Sequence, residues 1–332
     1  MTMTQSKSLK DVLYIRCFAV ISLVAWHIYC IYICQGYADS PMHDAYARLF
    51  SFLTPDANMP LFTFLAGYLF CYLLKTKHKY PDFRGFLKNK VHRLLVPFLV
   101  LGTLTNLTMI GRPLMDFYYG KPSHLWYCLM LFYCYVICWL VEKFGGKKWN
   151  LILCGLSCGV VFWRCMIPLG VNSPLGLFLP MYYYCYFYIG FWVFEYKEYV
   201  MKWIGKYWLI LVAVNFYLAW FVKPRLFLFH CLSYILILLY LANKLELRAS
   251  TTTPPRFGFS LILNSISKCS MGIYIIHAWI IWNFTNIESF HGFISEHFLI
   301  FPFICWIFVF LFSWGATHVL IKYTRIGRYF LL

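Results

Sequence analysis

The sequence predicts an all-α, polytopic membrane protein with about ten transmembrane helices and with both termini in the cytoplasm. The first observation behind this prediction is the composition, which is 62% hydrophobic, 22% aromatic and only 12% charged. A soluble globular domain is about 45–50% apolar and about 25% charged. The second is that apolar runs of nearly bilayer length recur along the whole chain, and the third is the uneven distribution of basic residues between the loops.

The apolar runs define the individual elements. A bilayer core about 30 Å thick needs roughly 20 apolar residues per helix. We predict ten spans, near residues 12–34, 58–74, 94–111, 124–142, 149–167, 176–194, 207–222, 226–242, 269–287 and 298–321. The seventh and eighth are the shortest of these. Lys223, Pro224 and Arg225 separate them, and a charged turn with a proline is a suitable break between antiparallel helices.

The basic residues predict the orientation. With the N-terminus placed inside, 23 of the 29 Lys and Arg residues fall on the cytoplasmic side and six on the outer side. The acidic residues divide evenly, so the net charge of +17 is wholly cytoplasmic. Such a bias is the positive-inside pattern of membrane proteins. It explains the basic character without a nucleic-acid partner, although basic proteins often bind phosphate backbones.

Because the predicted spans recur along the whole chain, we expect one membrane domain over residues 1–332, with no soluble C-terminal domain. The apolar stretch of the first span exceeds that of a signal peptide and no small-residue cleavage site follows, so we expect it to stay in the mature protein. Most of the 14 cysteines lie inside apolar runs, where a thiol behaves as a small buried hydrophobe. The sequence therefore predicts neither disulfides nor a bound metal.

Ionisable residues inside a membrane are costly and usually mark function. Arg16 and His27 lie 11 residues apart in the first span, which on an α-helix means nearly the same face and a rise of about 16 Å. One face thus carries a cation near the cytoplasmic boundary and, deeper, an imidazole that can act as a general base. This favours a tunnel that holds an anion at its mouth. The alternatives are that His27 is a structural histidine and that Arg16 only reaches to the interface.

Two further pairs are candidates for the same site. Lys90 and Arg93, at the foot of the third span, are predicted to share a helical face and to grip phosphate oxygens. The alternative is that their basic segment serves topology and attraction to anionic lipids. Tyr274 and His277 share a face near the middle of the ninth span, where either a pocket role or helix packing is consistent with the sequence.

Five runs, in this order, resemble the acyltransferase 3 family of integral membrane acyltransferases. They are YIRCFAVISLVAWH, MPLFTFLAGYLF, KVHRLLVPF, HLWYCLMLFYCY and SISKCSMGIYIIH, and they extend from residue 12 to about residue 280. The first has the family's Arg-x10-His spacing. Two positions depart from the family pattern. Ala66 stands where serine is commoner, and Lys90 replaces an arginine, which keeps the charge but loses the bidentate fork.

Members of this family transfer an acyl group, commonly acetyl from cytoplasmic acetyl-CoA, onto hydroxyls of glycans or other acceptors. The resemblance implies that His27 is the essential residue. It implies that three cations contact the phosphates of coenzyme A, namely Arg16, Lys90 and Arg93. It also implies that Trp126, Tyr274 and His277 help to shape the site, and by analogy it suggests a bacterial inner membrane.

The expected reaction leaves several alternatives open. His27 either deprotonates the acceptor hydroxyl or accepts the acetyl group itself. The acceptor is a surface polysaccharide, a lipid-linked repeat unit, a membrane-derived glucan or a small secreted sugar compound, and succinyl or longer acyl donors are also open. The alternative function is a secondary transporter of a sugar or a lipid-linked glycan. The family motifs argue against it, as does the lack of detectable inverted halves with paired broken helices.

Overall fold

The computed structural model describes residues 9–28, 57–110, 124–166, 174–222, 226–251, 257–285 and 300–331. All regular elements in these ranges are helical. The α-helices are α1 (Lys10–Ile28), α2 (Asn58–Cys71), α3 (Phe83–Lys90), α4 (Val96–Thr105), α5 (Trp126–Leu140), α6 (Lys147–Met166), α7 (Leu179–Glu195), α8 (Lys197–Tyr217), α9 (Phe227–Thr251), α10 (Phe257–Thr285), α11 (Phe301–Tyr323) and α12 (Arg325–Phe330). A π-helical turn, Val91–Leu95, joins α3 to α4.

Eight helical segments within the described ranges are long and apolar enough to cross a bilayer. They are Lys10–Ile28, Asn58–Thr76, Phe83–Thr108, Trp126–Gly145, Lys197–Phe221, Phe227–Arg248, Ser260–Ile281 and Phe301–Tyr323. Each overlaps one predicted span. The fifth and sixth predicted spans coincide with α6 and α7, which are not among the eight. The all-α class is confirmed for the described residues, whereas ten spans and cytoplasmic termini stay predictions.

Three helical segments begin well before the predicted spans that they overlap. They start at Phe83 instead of residue 94, at Lys197 instead of residue 207 and at Ser260 instead of residue 269. The predicted spans stop where charges begin, but a helical backbone continues into the interface because Lys and Arg can extend their head groups to water. The predicted break at 223–225 and residues 29–34 of the first predicted span lie outside the described residues.

Helix α1 lies at the centre of the bundle. It packs against α2, α9, α10 and α11, and it is buried on several faces, which suits a helix that is apolar all round. At its start the fully buried Asp11 accepts a hydrogen bond from the Tyr68 hydroxyl (3.0 Å) and pairs with Lys197. Removal of one partner of a buried ion pair costs about 3–5 kcal/mol. Asp11 therefore ties α1 to α2 and α8.

Helices α2 and α7 approach each other closely at two glycines. A Cβ atom on Gly67 would lie 1.8 Å from the Phe187 carbonyl oxygen, and one on Gly190 would lie 2.0 Å from the Phe64 carbonyl oxygen. Only glycine permits such backbone contact, and small residues are the usual means of close helix packing in membranes. This contact sets α7 firmly beside α2.

A group of lysines is neutralised by carboxylates where α2, α5, α6 and α7 meet. The Lys75 ammonium lies 2.9 Å from Glu195 Oε1 and 3.5 Å from Glu142 Oε2. Lys147 lies 3.1 Å from Glu195 Oε2. These cations hold helix ends together, and their charge is compensated within the protein.

Candidate active site

Helices α1 and α10 bring together two histidines that are 250 residues apart in the chain. Nε2 of His277 lies 3.2 Å from Nδ1 of His27, and the ring centroids are 4.8 Å apart with an interplanar angle of 64°. Each Nδ1 also lies near the carbonyl oxygen one helical turn earlier, at 3.0 Å from Leu23 and 2.8 Å from Ile273. His277 is 0% exposed and His27 is half-buried. The structure thus joins His27 directly to His277, two of the residues that the sequence proposed.

Tyr274 and His124 extend this pair. The Tyr274 ring centroid lies 6.2 Å from that of His277 and 5.8 Å from that of His124, and the Tyr274 hydroxyl donates to the His124 carbonyl oxygen. The buried His124 Nε2 has no hydrogen-bond partner in the described part of the chain. His124 lies within electrostatic range of both His27 and His277. His124 is not among the site residues that the sequence predicted, although it belongs to the His-Leu-Trp run that leads into α5.

The three predicted cations also come together. Arg16 lies within electrostatic range of Arg93, Tyr127 and Tyr135, and Lys90 lies within range of Arg93. In the described ranges, the ion pairs of the carboxylates involve Lys75, Lys147 and Lys197, and none involves Arg16, Lys90 or Arg93. Buried or partly buried charges are normally paired. A cluster of cations without a carboxylate is therefore a candidate anion site.

Lys90 occupies a cage of aromatic rings. Its ammonium lies 3.3 Å from the ring centroid of Tyr135, 5.4 Å from that of Tyr80 and 5.6 Å from that of Phe70. A cation within about 6 Å of an aromatic centroid is attracted to the ring face. Lys90 is only 6% exposed, whereas Arg93 is exposed. Lys90 and Arg93 therefore differ in burial although they lie within electrostatic range of each other, and their shared helical face stays a prediction.

A π-helical turn begins directly after Lys90 and contains Arg93. The Val96 N–H bonds to the Val91 carbonyl oxygen, five residues earlier, instead of to His92. Pro97 follows at the start of α4, and a proline has no N–H and clashes with the carbonyl four residues earlier, which here belongs to Arg93. The wider turn relieves this clash and changes the angle between Lys90 and Arg93. Such turns often occur at functional sites.

Two polar contacts support the cage. The Tyr80 hydroxyl donates to Asn89 Oδ1 at 3.1 Å. Burial raises the pKa of Tyr80, and the positive charge of Arg93 acts in the opposite direction, so this phenol stays protonated at neutral pH. The Tyr135 hydroxyl donates to the carbonyl oxygen of Ala66 at 3.5 Å. The backbone at Ala66, where serine is commoner in the resembled family, thus contacts the cage.

A cavity of about 120 Å³ lies between the two groups of residues. Its wall includes Leu94, which follows Arg93; Tyr127, which lies near Arg16; and Tyr274, which lies beside His277. A cavity of this size holds several water molecules. A larger ligand would require the flexible methionines of the wall to change rotamer; they are Met59 and Met271.

Trp126 stands at the edge of this arrangement. It is the first residue of α5, and its ring centroid lies 6.1 Å from that of Tyr127 and 5.3 Å from that of Tyr183. Within the described residues, no contact joins Trp126 directly to either histidine of the pair. Its connection to the site passes through Tyr127, whose ring centroid is 6.2 Å from that of Tyr274.

One known protein family matches almost the whole chain. A family model described as an acyltransferase domain matches residues 10–318, which include every site residue named above. Neither a search of curated proteins nor a search of solved structures gives a match. Together with the apolar helices, the match makes the chain a multi-pass membrane acyltransferase. The chain belongs to the acyltransferase 3 family.

Proposed function

We propose that the protein is a membrane-embedded O-acyltransferase that moves an acetyl group from cytoplasmic acetyl-CoA to a hydroxyl of a surface glycan or glycan precursor. We place it in a bacterial inner membrane. The observation that carries the proposal is the group of three cations, without carboxylate partners in the described ranges, near a cavity whose wall includes Tyr274, the ring neighbour of His277. An anionic acyl donor explains the cation cluster, and a general base explains the histidine pair.

The cation cluster suits the phosphates of coenzyme A. Arg16 and Arg93 carry planar guanidinium groups, which bind phosphate oxygens in a bidentate manner. Arg93 is exposed and Arg16 is half-buried, so the donor meets Arg93 first. Lys90 adds positive charge from inside its aromatic cage. In contrast to Lys75, these cations pair with none of the carboxylates that the structure describes, so none of those would compete with a phosphate.

The histidine pair suits the transfer step. In the first route His27 takes the proton of the acceptor hydroxyl while the oxygen of that hydroxyl attacks the thioester carbonyl. A C–O bond forms and the C–S bond breaks. The proton then passes from His27 to the sulfur, which leaves free coenzyme A. In the second route His27 itself attacks the carbonyl, so that a C–N bond forms, the C–S bond breaks and coenzyme A leaves as its thiolate. The acceptor oxygen then attacks the acyl-histidine, so that the C–O bond forms and the C–N bond breaks, and the hydroxyl proton passes through His27 to the thiolate. Both routes require a neutral His27 at the start.

The aromatic residues beside the pair suit an acceptor with both apolar and polar surfaces. Trp126, Tyr127 and Tyr183 lie next to one another, and each combines an apolar ring with a polar atom at its edge. We expect the glycan hydroxyl to approach His27 along this wall.

The proposal is tested with the protein in nanodiscs and in inverted membrane vesicles that carry the native acceptor. Coenzyme A should raise the Tm, and [14C]acetyl-CoA should label the glycan fraction of the vesicles. The double variant Arg16→Gln Arg93→Gln should lose the stabilisation, whereas Lys88→Gln, an exposed cation on α3, should keep it. Sugar flux across the vesicles without any dependence on coenzyme A would instead support a secondary transporter.

A further inference from the structure

We propose that His277 is a positioning residue that holds His27 in the tautomer protonated on Nδ1, so that Nε2 of His27 is the reacting atom. This inference rests on the proposed function and goes further by naming the atom. It follows from the donors and acceptors around the two rings, one nitrogen at a time.

The first step concerns His277. Its Nδ1 lies 2.8 Å from the carbonyl oxygen of Ile273. A carbonyl oxygen can only accept a hydrogen bond, so Nδ1 of His277 carries the hydrogen. A neutral imidazole has one N–H, and its other nitrogen is an acceptor. Because His277 is completely buried, and an isolated buried charge is costly, the ring is neutral. Its Nε2 therefore presents a lone pair.

The second step concerns His27. Its Nδ1 lies 3.2 Å from that lone pair on His277 and 3.0 Å from the carbonyl oxygen of Leu23. Both neighbours are acceptors, and two acceptors facing each other cannot form a hydrogen bond. Nδ1 of His27 must therefore be the donor, shared between the two. This leaves the lone pair of His27 on Nε2, for which the described residues supply no hydrogen-bond partner.

The third step concerns the reaction. When Nε2 takes up a proton or an acyl group, His27 becomes positively charged and its Nδ1–H bonds become charge-assisted, which strengthens them. His277 thus orients the ring and stabilises the charge that develops on it, as the third group does in other base-assisted nucleophile systems. Deprotonation of the acceptor and formation of an acyl-histidine use the same Nε2 lone pair. The inference holds for both routes.

Two substitutions at one position separate this role from simple packing. In His277→Gln the side-chain carbonyl can still accept the Nδ1–H bond of His27, whereas in His277→Phe a ring remains but the acceptor is lost. Transfer of label from [14C]acetyl-CoA to the glycan fraction of inverted vesicles is the measurement. We expect kcat to fall by about 10²-fold or more in His277→Phe and to return to within about tenfold of the wild type in His277→Gln. The KM for acetyl-CoA should be unchanged in both variants.

The outcomes distinguish this inference from the proposed function. Equal activity of the two variants, in membranes where the wild type transfers label, would overturn the role of His277 and leave the acyltransferase function intact. A wild type that neither binds coenzyme A nor transfers label would overturn the proposed function instead.

A second measurement needs neither activity nor a folded variant at His277. The 15N chemical shifts of labelled histidines in nanodiscs report which ring nitrogen carries the hydrogen, and His27 is identified by the signals that His27→Ala removes. We expect a protonated Nδ1 and a bare Nε2. His318 is the control, because its Nδ1 faces the Ser265 hydroxyl at 3.4 Å, a group that can donate or accept. A hydrogen on Nε2 of His27 would overturn the inference.

Discussion

The cation cluster and the histidine pair each have one member on the central helix α1, Arg16 and His27, but they are held in different ways. Arg93 is exposed and lies in the π-helical turn after Lys90, which packs against aromatic rings without a hydrogen-bond partner among the described residues. His27 and His277 are hydrogen-bonded to each other and to their own helices. Under the proposed function, this difference means that the donor site tolerates adjustment, whereas the reacting atoms are fixed in advance.

The largest effect is expected at the histidine pair. His27→Ala should lower acyl transfer by about 10²–10⁴-fold, the usual contribution of a general base, and it should leave the affinity for coenzyme A unchanged because the cations are intact. Label transfer and the Tm shift with coenzyme A measure the two effects separately. His318→Ala, an exposed histidine on α11, is the control. Near-normal transfer by His27→Ala would remove the distinction between the two regions.

The next largest effect is expected at Arg16 and Arg93, where the KM should change instead of the kcat. A charge-assisted hydrogen bond contributes about 1.5–3 kcal/mol, so Arg16→Gln and Arg93→Gln should each raise the KM for acetyl-CoA by about ten- to hundredfold. The kcat at saturating donor should change little. A fall in kcat with an unchanged KM would contradict a role in donor capture.

A smaller effect is expected in the aromatic cage. A cation–π contact contributes about 0.5–2 kcal/mol, and Tyr135→Leu removes the ring nearest to Lys90. We expect the KM for acetyl-CoA to rise by about two- to thirtyfold in that variant. Tyr135→Phe keeps the ring and should stay close to the wild type. Equal behaviour of the two variants would show that the cage does not act through its ring faces.

The smallest effect is expected at Pro97. Pro97→Ala restores an N–H and removes the clash with the Arg93 carbonyl, so the π-helical turn can relax towards an α-helix. Arg93 would then shift relative to Lys90, and the KM for acetyl-CoA should change by less than about tenfold, within the range of one weakened charge-assisted bond. The kcat should be unaffected. A loss of kcat similar to that of His27→Ala would mean that the turn also positions the histidines.

The sequence predicted those parts of the site that depend on a single helix. Arg16 and His27 lie on one regular helix, so their spacing alone predicts their common face. The prediction for Lys90 and Arg93 relied on the same regular spacing, but Arg93 lies in a π-helical turn, so their shared face stays a prediction. The long apolar runs predicted the helices, but helix ends beyond the charged residues could not be located from hydropathy.

Contacts between helices could not be predicted from periodicity. His27 and His277 meet only because α1 packs against α10, and the family resemblance, not the spacing, suggested that His277 belongs to the site. The cage around Lys90 combines rings from α2, the turn before α3, and α5. His124 was missed because a single histidine at the start of a predicted span carries no periodic signal.

The most direct test of a single donor that bridges both regions is photo-crosslinking with an acetyl-CoA analogue that carries a diazirine on its acyl group. Peptide mapping should place the adducts on α1 and α10, next to His27 and His277. An excess of coenzyme A should prevent them, and the double variant Arg16→Gln Arg93→Gln should not form them. Adducts elsewhere in the protein, or labelling that coenzyme A does not reduce, would contradict a shared donor site.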